Sequence, residues 1–377
     1  MSPLVVHFVP RWPQNPYHAE LARHLAESGV AVPAECRLDA IVRTLRTSGQ
    51  RPHLIHLHAL PPFRFKPTLF RRFVMFWLRL LRLRLAGVKI VWTVHNITAH
   101  ESPHPAIDRF VARCWYRCAA ASIVHSAGAR AAIEAQWKVS RRPNVFIVPH
   151  GHFIDCYPAD ATRSASRARL EVPEHDLVFL FVGQIRAYKG VVRLVREFRQ
   201  LGAAGTRLII AGETNSEPLR AEIAREIDSD PAIHFHPRFV PDDELQYYLG
   251  ATDLVVFPYG RALTSGALIL AMSFGRACIA PRIGALGDTL DEHGGFLYDP
   301  ASPAALGEAL AEAVRRRAAL AEMGQYNRRR VEQWTWAGAG RATADIYRQC
   351  LRPAARAGSP IWPAPRPKAA PPRGLLS

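Results

Sequence analysis

The stretch TSGALILAMSFGRACIAP, residues 264–281, holds no acidic residue and a single basic one, Arg276. Two hydroxyls and a glycine lead into about two helical turns of apolar residues. The run then breaks at Gly275 and continues as a short strand-like segment. A helix that is apolar all round is buried all round. Its first turn still carries N–H groups with no partner inside the helix, at the positive end of the dipole. Such a helix start is a ready anion site. Thr264, Ser265 and Gly266 are therefore candidate ligands for a phosphate, although Ser or Thr at this position can equally be a simple cap.

Working outward, the same strand-then-helix alternation recurs along the chain. Apolar runs at 177–183, 207–212, 233–239 and 253–260 precede the opening stretch, each followed by a helical segment. Earlier runs at 3–10, 53–60, 88–96, 121–128 and 144–151 form a first series. Alternation of this kind predicts α/β architecture with parallel sheets. The expected layout is two tandem Rossmann-like, doubly wound domains facing a cleft, with ligands at the carboxyl ends of the strands. The first domain is expected over 1–155, a connection over 156–175, and the second domain over 176–335. A last helix, read as running from about 325 to 350 and breaking at its glycines, ends in a crossover segment at 336–351. The basic, Pro-rich tail 352–377 reads as disordered.

With 377 residues and 49% hydrophobic content, the chain can bury two such cores. The net charge of +17 is unevenly placed. Residues 1–150 hold 21 Lys and Arg against 7 Asp and Glu, whereas 151–351 are close to neutral. The first half is thus expected to face something anionic. The six cysteines show no paired metal spacing and read as free thiols of a cytosolic protein. The N-terminal MSPLVVHFVPRWPQ lacks the basic region and small-residue cleavage site of a signal peptide.

FVGQIRAYKG, residues 181–190, is a strand end followed by a turn with two cations. Gly183 permits the sharp turn. Arg186 and Lys189, three apart, can converge on one anion. Two anion sites after strands of one domain, both facing one cleft, make a nucleotide diphosphate the simplest shared ligand.

VGQIRAYKG, FVPDDELQYYLGATDLVVFPY and SGALILAMSFGRACIAP, with VWTVHN and IVPHG in the first half, carry a family resemblance. Over about residues 3–350 the chain resembles GT-B glycosyltransferases, in particular family 4 and bacterial exopolysaccharide mannosyltransferases of the xanthan β-mannosyltransferase type. The resemblance implies a nucleotide-sugar donor in the second domain, GDP-mannose by analogy, with Arg238 and Phe239 also on the donor side. It implies an acceptor met by the first domain, a last helix crossing back onto that domain, and no cofactor beyond the donor substrate. Retaining members of family 4 place two glutamates eight positions apart here. The matching positions hold Ala262 and Leu270, so inversion is expected.

Inversion needs a general base opposite a leaving group held by positive charge. The strand-end loop VHNITAHES offers His95, His100 and Glu101, and His95 could equally be a buried structural histidine. HLIHLHAL puts His56 and His58 on one side of a strand. His58 and Asn15 are candidates for the acceptor side, Asn15 alternatively being a turn and helix start. No metal is expected, since His56 and His58 lack further ligands at suitable spacing.

Residues 63–85, FRFKPTLFRRFVMFWLRLLRLRL, carry seven cations and no acid. On a helical wheel with Arg71 at zero, Arg72, Arg79 and Arg82 fall at about 100°, 80° and 20°. The arginines are too many for a spanning helix and suit one lying in an anionic interface. A core-packed helix with a solvated edge is the plain alternative. The reading is therefore an enzyme, a hexosyltransferase acting on a lipid-linked or polysaccharide acceptor. It would be peripheral on the inner face of the plasma membrane, with the basic amphipathic segment 63–86 as its contact. A GT-B epimerase and a nucleic-acid-binding protein are the competing readings. No nucleic-acid module appears, so nucleic acid is not an expected partner.

Overall fold

The computed structural model describes residues 3–49, 51–97 and 102–352. Two six-stranded sheets, all of whose paired strands run parallel, form the frame. The first contains β1 (Leu4–Val9), β2 (Val30–Ala31), β3 (Leu54–Leu57), β4 (Lys89–Thr93), β5 (Ala121–Val124) and β6 (Val145–Ile147). Its helices are α1 (Pro16–Glu27), α2 (Leu38–Ser48), α3 (Pro67–Leu85), α4 (Pro105–Cys118) and α5 (Ala127–Trp137). The order β2-β1-β3-β4-β5-β6 reverses direction between β1 and β3.

The second sheet follows α6 (Arg163–Arg169). It contains β7 (Leu177–Val182), β8 (Thr206–Ala211), β9 (Ile233–His236), β10 (Leu254–Val256), β11 (Ala277–Pro281) and β12 (Gly295–Tyr298). Between and after these strands come α7 (Val191–Leu201), α8 (Glu217–Ile227), α9 (Leu245–Ala251), α10 (Gly266–Ser273), α11 (Leu286–Thr289), α12 (Ala305–Arg315), α13 (Leu320–Val331) and α14 (Trp336–Leu351). The order β9-β8-β7-β10-β11-β12 is the doubly wound dinucleotide arrangement, with its crevice between β7 and β10. All six residues of β7 are buried, the continuous apolar run expected of a strand covered on both faces.

Part of the expected connection is folded. In α6 the Arg167 guanidinium is buried, bonded to the carboxylate of Asp253 at 2.9 Å and to carbonyls of Pro173, Glu174 and Asp176. A buried cation of this kind is tolerable only with such partners. The last helical region also departs from expectation. It breaks at residues 332–335, ahead of the glycines, because the Thr335 side chain caps a new helix by accepting from Gly338 N at 3.1 Å. Gly340 lies inside α14, where a Cβ would press on His24 of α1 at 2.8 Å. α14 packs along α1, and the Tyr347 hydroxyl meets His56 Nδ1 at 2.5 Å, which ties the chain's far end to the first sheet. The tail read as disordered lies, from 353 on, outside the described residues.

Candidate active site

A cleft of about 600 Å³ opens between the two domains. From the second domain it is walled by Tyr188, Lys189, Tyr259, Arg261, and the run Thr264, Ser265 and Gly266. Asn96, Arg109 and Gln136 approach from the first.

Gly183 follows β7 with φ of 121°, a conformation that favours glycine. A side chain there would reach the Lys189 amine at 3.8 Å. Gly190, with φ of 69°, starts α7 so close to β10's continuation that a Cβ would overlap the Pro258 carbonyl. These two glycines fix the turn that delivers Lys189. Burial, and then the neighbouring Arg186, pull the Lys189 amine down to about 8. Its surroundings include the rings of Tyr259 and Phe181, at 5.6 and 5.9 Å. Arg186 itself bonds Gln184 Oε1 through two nitrogens, at 3.0 and 2.8 Å, and is not part of the cleft wall.

α10 is buried from Leu268 to Ser273, as its composition requires. At its start the hydroxyls have internal partners. Ser265 Oγ accepts from Leu268 N at 3.2 Å, and Thr264 Oγ1 donates to the His95 carbonyl at 3.1 Å. The helix presents its anion-binding capacity through the first-turn amides, with Gly266 at the cleft surface. Ala262, eight positions before Leu270, also lines the cleft, while Leu270 is buried.

At the strand ends of the first sheet, beside the cleft but not in its lining, stands a group of histidines: His58 after β3, His95 after β4, His125 after β5 and His150 after β6. His58 Nδ1 and His95 Nε2 are 3.4 Å apart, and the Tyr17 ring touches His58, His95, His125 and His150 at centroid distances of 5.0–5.8 Å. Burial lowers all four, His125 to about 4 and His150 to about 3, with His58 and His95 well below the usual histidine range. All four are neutral at pH 7, the state in which an imidazole can take a proton. His150 donates Nδ1–H to the Gly151 carbonyl at 2.6 Å. Its Nε2 lone pair is thereby left near Gly266, 3.9 Å from where a Cβ would stand.

His56, by contrast, is structural. Both nitrogens are engaged, with Tyr347 OH and with Thr93 Oγ1 at 2.7 Å. Asn15 is exposed and caps α1, its side chain accepting from Tyr17 N at 3.0 Å. Arg238 pairs with Glu244, Phe239 is 63% exposed, and neither belongs to the cleft wall. His100 and Glu101 lie outside the described residues. No group of three or more His, Cys, Asp or Glu placed to hold a metal ion occurs among the described residues. Sequence reading missed Arg109, Tyr188, Tyr259, Arg261 and His150. The first four are loop or helix-face residues without periodic signal, and His150 was visible only as part of IVPHG.

Residues 176–316 match the family described as Glycosyl transferases group 1. The chain is 28% identical over 247 residues to the GDP-mannose:glycolipid 4-beta-D-mannosyltransferase of Xanthomonas campestris pv. campestris. That match covers 63% of this chain and 64% of the relative. It is 30% identical over 220 residues to the D-inositol 3-phosphate glycosyltransferase of Corynebacterium kroppenstedtii, covering 53% and 47%. The chain thus spans less than two thirds of the length of these relatives. Among solved structures, sucrose-phosphate synthase from Thermosynechococcus elongatus superposes with a TM-score of 0.72 at 20% identity, over 92% of this chain and 98% of that one. Anabaena Alr3699/HepE in complex with UDP and glucose gives 0.70 at 16%, over 92% and 100%. Identities this low speak to the fold. Residues 176–316 are a glycosyltransferase group 1 domain, and the chain that carries them has the GT-B fold.

Proposed function

We propose that the protein transfers a hexose from a nucleoside-diphosphate sugar to a lipid-linked acceptor, without a metal ion and with inversion. One observation carries the reading: the Lys189 ammonium and the first turn of α10 face the same interdomain cleft. Positive charge there neutralises the diphosphate as it leaves, the role a divalent cation fills elsewhere. Behind the opposite wall stand neutral imidazoles, of which His95, next to the cleft-lining Asn96, is the candidate base, alongside His100 and Glu101 of the same loop. Ala262 and Leu270 supply no carboxylate on the donor side, which favours direct displacement by the acceptor over a route that needs one. The name of the mannosyltransferase relative supports GDP-mannose as donor and a glycolipid as acceptor.

The protein would work at an anionic membrane surface, on the inner face of the plasma membrane. No helix among the described residues is long and apolar enough to cross a membrane. α3 packs Phe73, Leu80 and Leu83 inward yet leaves Phe70, Leu78, Leu81 and Leu85 at 45, 43, 48 and 79% exposure. On a helical wheel these four fall within an arc of about 80°, beside Arg71 and Arg82. Apolar residues flanked by arginines on an outward face suit the boundary between headgroups and acyl chains. The test is turnover of GDP- and UDP-sugars with a membrane lipid extract, read as nucleoside diphosphate released and lipid-borne sugar formed. Release of no diphosphate from any donor would refute the reading.

A further inference from the structure

A second cavity, of about 450 Å³, lies between α2 and α3 at the carboxyl ends of β1 and β3. This is where the strand order of the first sheet reverses, the place where open α/β sheets receive ligands. Its size is that of a small-ligand site. Val9, Leu38, Leu60, Phe73 and Phe76 give it an apolar lining. Arg64, Arg72 and Arg79 line it as well, and among the described residues no carboxylate does. Among the described residues these three arginines have no hydrogen-bond or ion-pair partner, whereas Arg43 on α2 pairs with Asp39 at 3.5 Å. Three unpaired guanidinium groups beside an apolar volume fit a ligand that is anionic at one end and hydrocarbon at the other.

Two placements select a lipid over a free phosphate. α3 supplies both Arg72, Phe73, Phe76 and Arg79 of the cavity and the outward apolar residues Phe70, Leu78, Leu81 and Leu85. A lipid at the outer face therefore has the cavity on the same helix. The segment between the cavity and the cleft is short and tethered: Phe63 N donates to Asp108 Oδ1 at 2.8 Å, and the next residue of α4, Arg109, lines the cleft. We propose that this cavity binds the phosphate or diphosphate of the acceptor lipid, with Arg64, Arg72 and Arg79 on the phosphate and the apolar lining against the first hydrocarbon segment. The identity of this lipid as acceptor rests on the glycosyl-transfer reading. The binding itself does not.

The probes are farnesyl diphosphate, farnesol and inorganic pyrophosphate, titrated calorimetrically into the full chain. Farnesyl diphosphate is expected to bind at least about tenfold more tightly than either of the others. It should also protect Cys36, which lines the cavity, from alkylation in peptide-resolved mass spectrometry while leaving the exposed Cys118 reactive. R72Q/R79Q should lose about tenfold in farnesyl diphosphate affinity. In the same variant the thermal shift given by GDP or UDP should remain unchanged, which certifies its fold and separates this site from the donor cleft. Pyrophosphate binding as tightly as farnesyl diphosphate would remove the lipid from the assignment. Farnesol binding as tightly would remove the arginines. Unprotected Cys36, or a variant with undiminished affinity, would overturn the site even if sugar transfer is demonstrated.

Discussion

The Thr264 hydroxyl donates to the main-chain carbonyl of His95 at 3.1 Å, so the loop that begins α10 is fastened across the cleft to the strand end that offers the candidate base. The bond joins the start of α10 in the second domain to the end of β4 in the first. Removing it with Thr264→Val deletes the donor but keeps the shape. A bond of this kind contributes about 0.5–1.5 kcal/mol, so nucleotide affinity measured by calorimetry should weaken by roughly 2- to 12-fold. An unchanged affinity would show that the tether plays no part in shaping the donor site.

Lys189 gives the donor site a pH signature. Its amine titrates at about 8, so the charged form that attracts a diphosphate is lost as pH rises through that value. Nucleoside diphosphate affinity should therefore fall from about pH 7.5 to 9, by up to about tenfold per unit. Without ligand, the depressed amine acts in the opposite sense. Between about 8 and the ordinary 10.5 the unfolded chain holds more protons, and this group makes stability rise with pH. Lys189→Met should flatten the affinity profile and cost about 10- to 100-fold at pH 7.

The buried histidines set an acid limit. His18, His56 and His125 are lowered by burial to about 4, 3 and 4, so the folded state resists protonation that the unfolded chain accepts near 6.5. Their contribution to stability is present above 6.5 and is lost as pH falls below it, at about 1.4 kcal/mol per unit for each histidine. Urea midpoints at pH 7.0, 6.0 and 5.0 should drop steadily. A flat profile across that window would mean that these imidazoles are solvated.

Gly190→Ala tests the turn that carries Lys189. The new Cβ would meet both a positive φ and the Pro258 carbonyl, so the loop must move. Loss of nucleotide binding, with a destabilisation of at least about 1–3 kcal/mol, is expected in denaturant titrations. Wild-type behaviour would contradict the assigned loop geometry.

For the membrane surface, L81S/L85S and R71Q/R82Q alter the two halves of the outward face of α3. Cosedimentation with anionic vesicles should weaken about tenfold or more in each, since each arginine near such a surface contributes about 1 kcal/mol. Neutral vesicles should bind the wild-type protein poorly. Equal binding to both vesicle types would remove the electrostatic part of the reading.

The strands that positioned the cleft were legible because they are apolar runs buried on both faces, as in β7 and β11. β2, two residues long, and β12, which begins at Gly295, were not read. Neither has a run long enough to stand out, and Gly295 is there because a Cβ would overlap the Cys278 carbonyl of β11. The buried helix α10 could be read from its uniform apolarity and its Ser-Gly start. That the Thr264 and Ser265 hydroxyls face internal partners could not, since the His95 carbonyl lies 169 positions away. The histidine cluster illustrates the same limit. His58, His95, His125 and His150 sit on four different strand ends, and only the parallel sheet brings them into one cluster around Tyr17.

The most direct measurement is a crystal structure of the protein with its nucleotide-sugar donor or nucleoside diphosphate bound. The diphosphate should lie within hydrogen-bond distance of Lys189 Nζ and of the first-turn amides of α10, in the cleft opposite His95. A diphosphate seated away from both Lys189 and the start of α10 would contradict the account.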